Sequence, residues 1–440
     1  MKPFRAIFLA ACCAAILPAA HCDGGPFFEQ DVPLDIAFFS GVTVPPAAPG
    51  PITKNKKLTV GIGSGAWHSK GDEPGILYTI TDRGPNIDTG DAQLENFLSM
   101  KIGSGSGKIF PVPNFSPSIY KLQVCLGQYT VLDIIQLKTA GGFPISGVSV
   151  PAIEQGFDGA GNKLPGDVNA IDSEALVRLK NGEFWIASEY GPDLIHVGAD
   201  GRIIDRLVPL GASKVPGTGL FPEYYNARRL NRGFESIAIS PDEKFLYTMI
   251  QSPLEQKVSG VNVGRNSRCL RFLKIDRAAL SIVHEYIYEE QPITEFTLDY
   301  VAGSSSQGNV KVSEMVCLDT DKLLVLERET KTTKLFLVKL AGATATEGMS
   351  LDLIEKATDP VAVPGAPELP AGVTPVSKKL VFDGPTDFPG LVKKVEGIAW
   401  LGGGDFVLIN DNDFSTEDEP PGTPAVTTLT RIFIPPHKLQ

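Results

Sequence analysis

One hairpin recurs along this chain, and its repetition constrains the fold more than any other feature. A carboxylate or small residue opens an apolar strand, a short turn follows, and a second apolar strand closes on a polar or acidic residue. Ser173-Glu174-Ala175-Leu176-Val177 runs through Asn181-Gly182 to Phe184-Trp185-Ile186-Ala187-Ser188-Glu189. The same unit is read from Phe234–Ala238 to Leu246–Gln251, from Ser313–Val316 to Leu323–Glu327, and from Val395–Trp400 to Phe406–Asp411. A degenerate copy runs from Gly61–Trp67 to Leu77–Asp82. The polar ends lie 15 (Glu174 to Glu189), 16 (Glu235 to Gln251), 13 (Glu314 to Glu327) and 15 residues (Glu396 to Asp411) apart, which suits two strands joined by a tight turn.

Two more strands follow most copies. Leu194–Val197 and Ile203–Val208 flank Ala199-Asp200-Gly201, Leu270–Ile275 precedes Ile282–Tyr288, and Leu335–Leu340 precedes Leu351–Ile354. Four antiparallel strands per repeat predict an all-β chain folded as a β-propeller of five or six four-stranded blades. Five units are clear, and Thr294–Val301 or Lys378–Phe382 leave room for a sixth. The last unit stops after three strands at Thr430–Ile434, so a strand near Leu34–Phe39 is expected to supply its fourth and close the ring. Asp359–Pro375 and much of Gly141–Asp167 read as surface loops.

In a blade, the start of the innermost strand and the end of the second are neighbours on one face of the disc. The repeats therefore predict an axial ring of Asp82, Glu174, Glu189, Glu235, Glu314, Glu327, Glu396, Asp411 and Asp413. Carboxylates so gathered repel one another, and burial worsens this, so the ring needs cations or protons. Arg83, Arg232, Arg328 and Lys394 stand beside it in sequence. Acids with interspersed bases suit a metal-bridged anion, above all a phosphate. The plainer alternative is that each acid caps a strand or turn or forms a salt bridge.

The formal net charge of −11 argues against general nucleic-acid binding, and 42% hydrophobic residues supply a large core. Residues 1–22 read as an export signal: Lys2 and Arg5 precede the apolar run Ala6–Leu17, with cleavage after Ala20 or Cys22. A lipid anchor at Cys22 is the alternative, against which His21 stands where a small residue is wanted. Residues 30–440 are expected to form a single propeller domain in a periplasmic or extracellular protein with no transmembrane segment. Cys125, Cys269 and Cys317 are spaced for neither zinc nor a disulfide framework, and at most one bridge is expected.

Several segments resemble a known family. Thr81-Asp82-Arg83-Gly84-Pro85-Asn86, Ser188-Glu189-Tyr190-Gly191-Pro192, Asn231-Arg232-Gly233-Phe234-Glu235, Leu326-Glu327-Arg328, Val395-Glu396-Gly397 and Asn410-Asp411-Asn412-Asp413-Phe414 resemble the phytase-like family named for an "esterase-like activity of phytase". The resemblance covers roughly residues 55–415 and implies a propeller, characteristic acids and phosphoester hydrolysis. Two departures stand out: Ser64-Gly65 replaces a carboxylate in the first unit, and Gln251 replaces an acid in the third.

Other motifs fail on context. Gly61–Ala66 is followed by Gly71 and Pro74 and cannot open the helix a dinucleotide site needs. Gly103–Lys108 has the wrong spacing for a phosphate loop. Asp411–Ser415 lacks the glycine of an EF-hand but can still offer oxygens to calcium. No Gly-x-Ser-x-Gly elbow is present, and His68, His196, His284 and His437 have no ligand spacing.

The reading that results is an exported, metal-dependent phosphoesterase acting on a small phosphorylated substrate. Asp82, Arg83, Glu174, Glu235 and Arg328 are expected in catalysis, the arginines clamping phosphate. Glu189, Glu327, Glu396, Asp411 and Asp413 are expected to hold a divalent metal, calcium by its oxygen donors. Two alternatives are a non-catalytic calcium-stabilised propeller that binds a ligand or partner protein, and a regucalcin-type lactonase, which Val395–Trp400 faintly echoes.

Overall fold

Five four-stranded units account for most of the strands in the computed structural model, which describes residues 32–34, 58–89, 107–125, 128–159, 161–255, 257–258, 261–262, 264–349, 369, 372–416 and 425–440. The expected signal segment with its cleavage sites and Cys22, the strand Leu351–Ile354 and most of the loop Asp359–Pro375 lie outside the described residues.

The first blade pairs Gly65–Trp67, Ile76–Ile80, Ser118–Cys125 and Gln128–Gln136 in that order. The second pairs Ser173–Arg178, Phe184–Ser188, Asp193–Val197 and Ile203–Pro209, with Thr218–Phe221 added in parallel at its edge. The third is Phe234–Ile239, Phe245–Ile250, Cys269–Asp276 and Ser281–Glu289. The fourth is Lys311–Asp319, Lys322–Arg328, Thr333–Lys339 and Ser377–Asp383. The fifth is Val395–Gly402, Asp405–Asn410, Thr427–Phe433 and Val32–Leu34. The innermost strand of each blade lies against that of the next, and the fifth lies against the first, so the ring closes. The chain is a β-propeller.

No sixth blade forms among the described residues. Thr294–Val301 contains only part of the short 3-10 turn Ile293–Glu295, and Lys378–Phe382 belongs to the outer strand of the fourth blade. That outer strand, Ser377–Asp383, occupies the place expected for Leu351–Ile354. The expected N-terminal closure is present slightly earlier than predicted: Val32, Pro33 and Leu34 pair antiparallel with Leu429, Thr428 and Thr427.

The burial pattern follows blade position. Inner and second strands such as Phe234–Ile239 and Phe184–Ser188 are buried on both faces and read as apolar runs. The tight hairpin between the first two strands of the second blade uses Gly182 at φ +92°, a conformation that glycine adopts without strain. The core lies between blades. Trp185, Phe234, Phe272 and Val325 link the second, third and fourth blades; Leu326, Ile398 and Phe406 link the fourth and fifth. Leu77, Tyr120, Ala399 and Val407 join the fifth to the first, and Tyr78 and Ile119 pack on Phe184 and Ile186 between the first and second. Each fully buried large side chain contributes about 1.5–3 kcal/mol, so every blade depends on both neighbours. Cys269 and Cys317 are buried, Cys317 as a free thiol, while Cys125 is disulfide-bonded. Among the described residues, no helix is long and apolar enough to cross a membrane.

Closure by Val32–Leu34 has a measurable consequence. Removing the three residues takes away backbone hydrogen bonds of about 0.5–1.5 kcal/mol each and exposes the edge of Thr427–Phe433. A chain shortened past Leu34 is expected to melt several degrees lower in calorimetry; an unchanged melting temperature contradicts this role for the strand.

Candidate functional site

Irregularities at the start of the inner strands build the site. In the second blade Ser173 opposes Ser188 and Ala175 opposes Ala187, leaving Glu174 as an extra residue. Glu235 is the extra residue in the third blade, between Phe234 and Ser236, and Glu396 in the fifth, between Val395 and Gly397. Such a bulge bends its strand and re-aims a side chain. The carboxylates of Glu174, Glu235 and Glu396 converge, with an oxygen of each within 4.8 Å of the others. Asp172, Glu174 and Glu189 form a second, overlapping group under the same limit. All five residues are buried.

The fourth blade departs from the expected register. Its extra residue is Ser313, since Val312 opposes Glu327 and Glu314 opposes Leu326. On the second strand, Arg328 therefore occupies the place that Glu189, Gln251 and Asp411 hold elsewhere. Because side chains alternate along a strand, one step moves a side chain to the other face. Glu327 accordingly points away from the axis. It accepts hydrogen bonds from Tyr288 Oη (2.5 Å), Lys378 Nζ (2.5 Å) and the Gln291 amide (3.0 Å), between the third and fourth blades. The expectation of Glu327 as an axial ligand is thus corrected. Its spacing of 13 from Glu314 was the outlier, whereas Ser313 and Arg328 are 15 apart, as in the second and fifth blades.

Glu314 is buried in the axial channel rather than beside the bulge carboxylates. One oxygen accepts from the amides of Met315 (3.0 Å) and Ile237 (3.4 Å). The other has no donor and lies where it closes the space above Gly65: a Cβ on Gly65 would stand 3.3 Å from it and 2.8 Å from Ala175 Cα. A side chain at Gly65 is therefore excluded, while Ser64 takes the place in the first unit that Glu174 holds in the second.

Basic groups interleave with these acids. Arg328 donates from Nε to Ser313 Oγ (2.8 Å) and pairs with Glu396 and, at 3.7 Å, with Glu235. Burial alone would lower its pKa, but Glu396, Glu235, Asp411 and Asp413 hold it above its ordinary value. Arg83 pairs with Glu154 and Asp172, both at 3.2 Å, and donates to Asn231 Oδ1 at 3.1 Å. Asp413 pairs with Lys394. Burial works to raise the Asp413 carboxyl, yet Lys394 holds it below its usual value. Asn231, Lys394 and Asp413 adopt φ of +51°, +52° and +46°. Each such left-handed residue costs about 1–3 kcal/mol, and all three stand at the mouth.

The remaining acids are not neutralised. Burial and then Asp172 push Asp82 and Glu174 well above the carboxylate range. Burial and then Glu189 do the same to Glu235; burial and then Asp413 to Asp411. Burial raises Glu189 to about 7 with help from Asp172, against Arg83, Arg232 and Lys311. Lys311 is itself pushed down to about 8 by burial and by Arg328 and Arg232. One oxygen each of Glu189 and Glu235 is buried without a hydrogen-bond donor, and Asp172 Oδ1 is likewise bare, its Oδ2 having Arg83 at 3.2 Å. Bare carboxylate oxygens packed this closely are the donor set of a hard divalent cation such as calcium, so the residues present fit that group.

The structure thus brings together Asp82, Arg83, Glu174, Glu189, Glu235, Arg328, Glu396, Asp411 and Asp413, and sets Glu327 apart. Sequence reasoning missed Asp172, Glu154 and Lys311. Asp172 stands two residues before Glu174, and Lys311 interrupts the apolar Val310–Val312; either was a usable signal. Glu154 comes from the loop Gly141–Asp167 and carried none.

Proton linkage fixes the direction of a pH effect. Glu189 ionises at about 7 in the folded chain against 4.5 ordinarily, so the folded state retains a proton the unfolded chain gives up. Its stability contribution is fully present below about 4.5 and is lost as pH rises through 7. In chelator, the melting temperature is expected to fall across that window, and to fall less in Glu189→Gln. A flat profile in both proteins contradicts the assignment.

Comparison with known proteins places the chain. It is 26% identical over 321 residues to an "Uncharacterized secreted protein" of Arthroderma benhamiae, a match covering 62% of this chain. The chain spans 58% of the length of that curated relative. Among solved structures it is similar to a calcium-binding protein, regucalcin, from Agrobacterium tumefaciens (12% identity, 88% of this chain and 96% of that one, TM-score 0.31). It is also similar to the Pan2 WD40 domain of Neurospora crassa (8% identity, 93% and 100%, TM-score 0.29). Residues 61–414 match the family described as "Phytase-like: Esterase-like activity of phytase", and the chain belongs to that family.

Proposed function

We propose that this chain is an exported hydrolase of phosphoesters that works at the axial acidic mouth with a divalent cation, calcium by its donors. The observation that carries the reading is the set of buried carboxylate oxygens without donors, gathered beside guanidinium groups. Glu174, Glu235 and Glu396 would hold the ion, with Asp172 on its flank. Bound there, such an ion neutralises phosphate charge and makes a water molecule more acidic. Export is supported by the signal-like residues 1–22 and by the description of the fungal relative as secreted.

The chain's own residues divide the remaining work. Arg83, whose Nε has no hydrogen-bond partner, and Arg232, which donates to Ser252 Oγ at 3.3 Å, would orient a phosphate. Arg328 is committed to Ser313, Glu396 and Glu235, so it is a positioning residue that aims the bulge glutamates. Glu189, beside Glu174 and Asp172 but outside the trio that would hold the ion, suits a general base that takes a proton from the attacking water. Hydrolysis forms one phosphorus–oxygen bond from water and breaks the one to the alcohol. One water proton ends on the alcohol and the other on the phosphate.

The test is a screen of purified protein against phosphomonoesters, phosphodiesters, phytate and lactones, with calcium and with chelator. Chelator-sensitive phosphoester turnover is expected, falling at least a hundredfold in Glu189→Gln. Turnover of lactones alone overturns the reading. So does a calcium-raised melting temperature with no turnover, the outcome for a non-catalytic propeller.

A further inference from the structure

A cavity of about 300 Å³ opens beside the axial cluster in the fifth blade. Leu391, Val392, Ala425 and Val426 form its apolar wall. Asp411 joins the two spaces: it lines the cavity, and it follows the second strand of the fifth blade opposite Lys394, in the axial place that Glu189 holds in the second blade. The rest of the lining is polar: Asn410, Asn412 and Thr428 with the carboxyls of Asp411 and Asp413 and the ammoniums of Lys393 and Lys394. Lys394 is already paired with Asp413. That pair neutralises itself, and the volume is about twice that of a cavity that admits benzene.

We infer that this cavity receives the alcohol portion of the substrate, and that this portion is a compact, uncharged, largely apolar group such as an aryl or branched alkyl. The inference rests on the phosphoester reading above and narrows it. With phosphate at the axial mouth, the leaving oxygen faces the shared Asp411, and the group it carries has the adjoining cavity to occupy. A polyphosphorylated polyol is the wrong shape of charge for it. Its further phosphates would press on Asp411, Asp413 and four aliphatic side chains, and the one buried-side ammonium, Lys394, is committed.

Two non-hydrolysable phosphonates test this apart from catalysis, with phytate, a phosphate ester, as the polyphosphorylated comparison. Methylphosphonate, benzylphosphonate and phytate are titrated calorimetrically into the calcium-loaded full chain and into Val426→Trp, which fills the cavity. Val426→Ser serves as a second variant that removes apolar surface without adding bulk. Benzylphosphonate is expected to bind at least tenfold more tightly than methylphosphonate. Both variants are expected to lose most of that preference while methylphosphonate affinity stays unchanged. Equal affinity for the two phosphonates, tighter binding of phytate than of benzylphosphonate, or a preference untouched by both variants overturns the inference and leaves the phosphate site standing. Failure of all three ligands to bind overturns the phosphoester reading and the inference with it.

Discussion

Repulsion among buried carboxylates governs the architecture of this protein's centre. Glu174, Glu235 and Glu396 are brought together by bulges in three different blades, and each blade is held by the apolar seams on either side. No local interaction favours that meeting. The inter-blade core must outweigh it, as must the strained backbone of Asn231, Lys394 and Asp413. The five inner strands form a rigid ring, so the acids cannot relax apart. What remains open to them is protonation, the neighbouring bases, or a bound cation.

The bases do only part of that work. Arg328 answers Glu396 and Glu235, Arg83 answers Asp172 and Glu154, and Lys394 answers Asp413. Glu174, Glu189 and Asp82 are left with carboxyls pushed upward by burial and then by Asp172. Titratable groups whose environments drive them from their ordinary values in one cleft mark functional sites more often than structural ones. The donorless oxygens of Glu189 and Glu235 lie in the axial cluster, and both oxygens of Glu290, beside Glu327 between the third and fourth blades, are also without donors.

Much of this was legible in the sequence because a propeller repeats. The recurring hairpin gave the architecture, the paired acids at its ends gave the site, and the three-stranded last unit gave the closure. The errors have one origin. Spacing counts residues but does not see where a strand gains one, and a single-residue bulge exchanges the roles of Glu327 and Arg328. The blade count was ambiguous because the outer strand of the fourth blade arrives only at Ser377–Asp383, far along the chain from its partner Thr333–Lys339. Glu154 was beyond reach because it enters from a loop with no periodicity, and its partner Arg83 is distant in sequence.

The central claim is that the axial carboxylates are arranged for a divalent cation. Anomalous diffraction from crystals of the full chain grown with calcium tests it most directly. The account predicts a peak about 2.3–2.6 Å from carboxylate oxygens contributed by Glu174, Glu235 and Glu396. An axial mouth without such a peak at saturating calcium, with those carboxyls hydrogen-bonded to one another through protons, would contradict it.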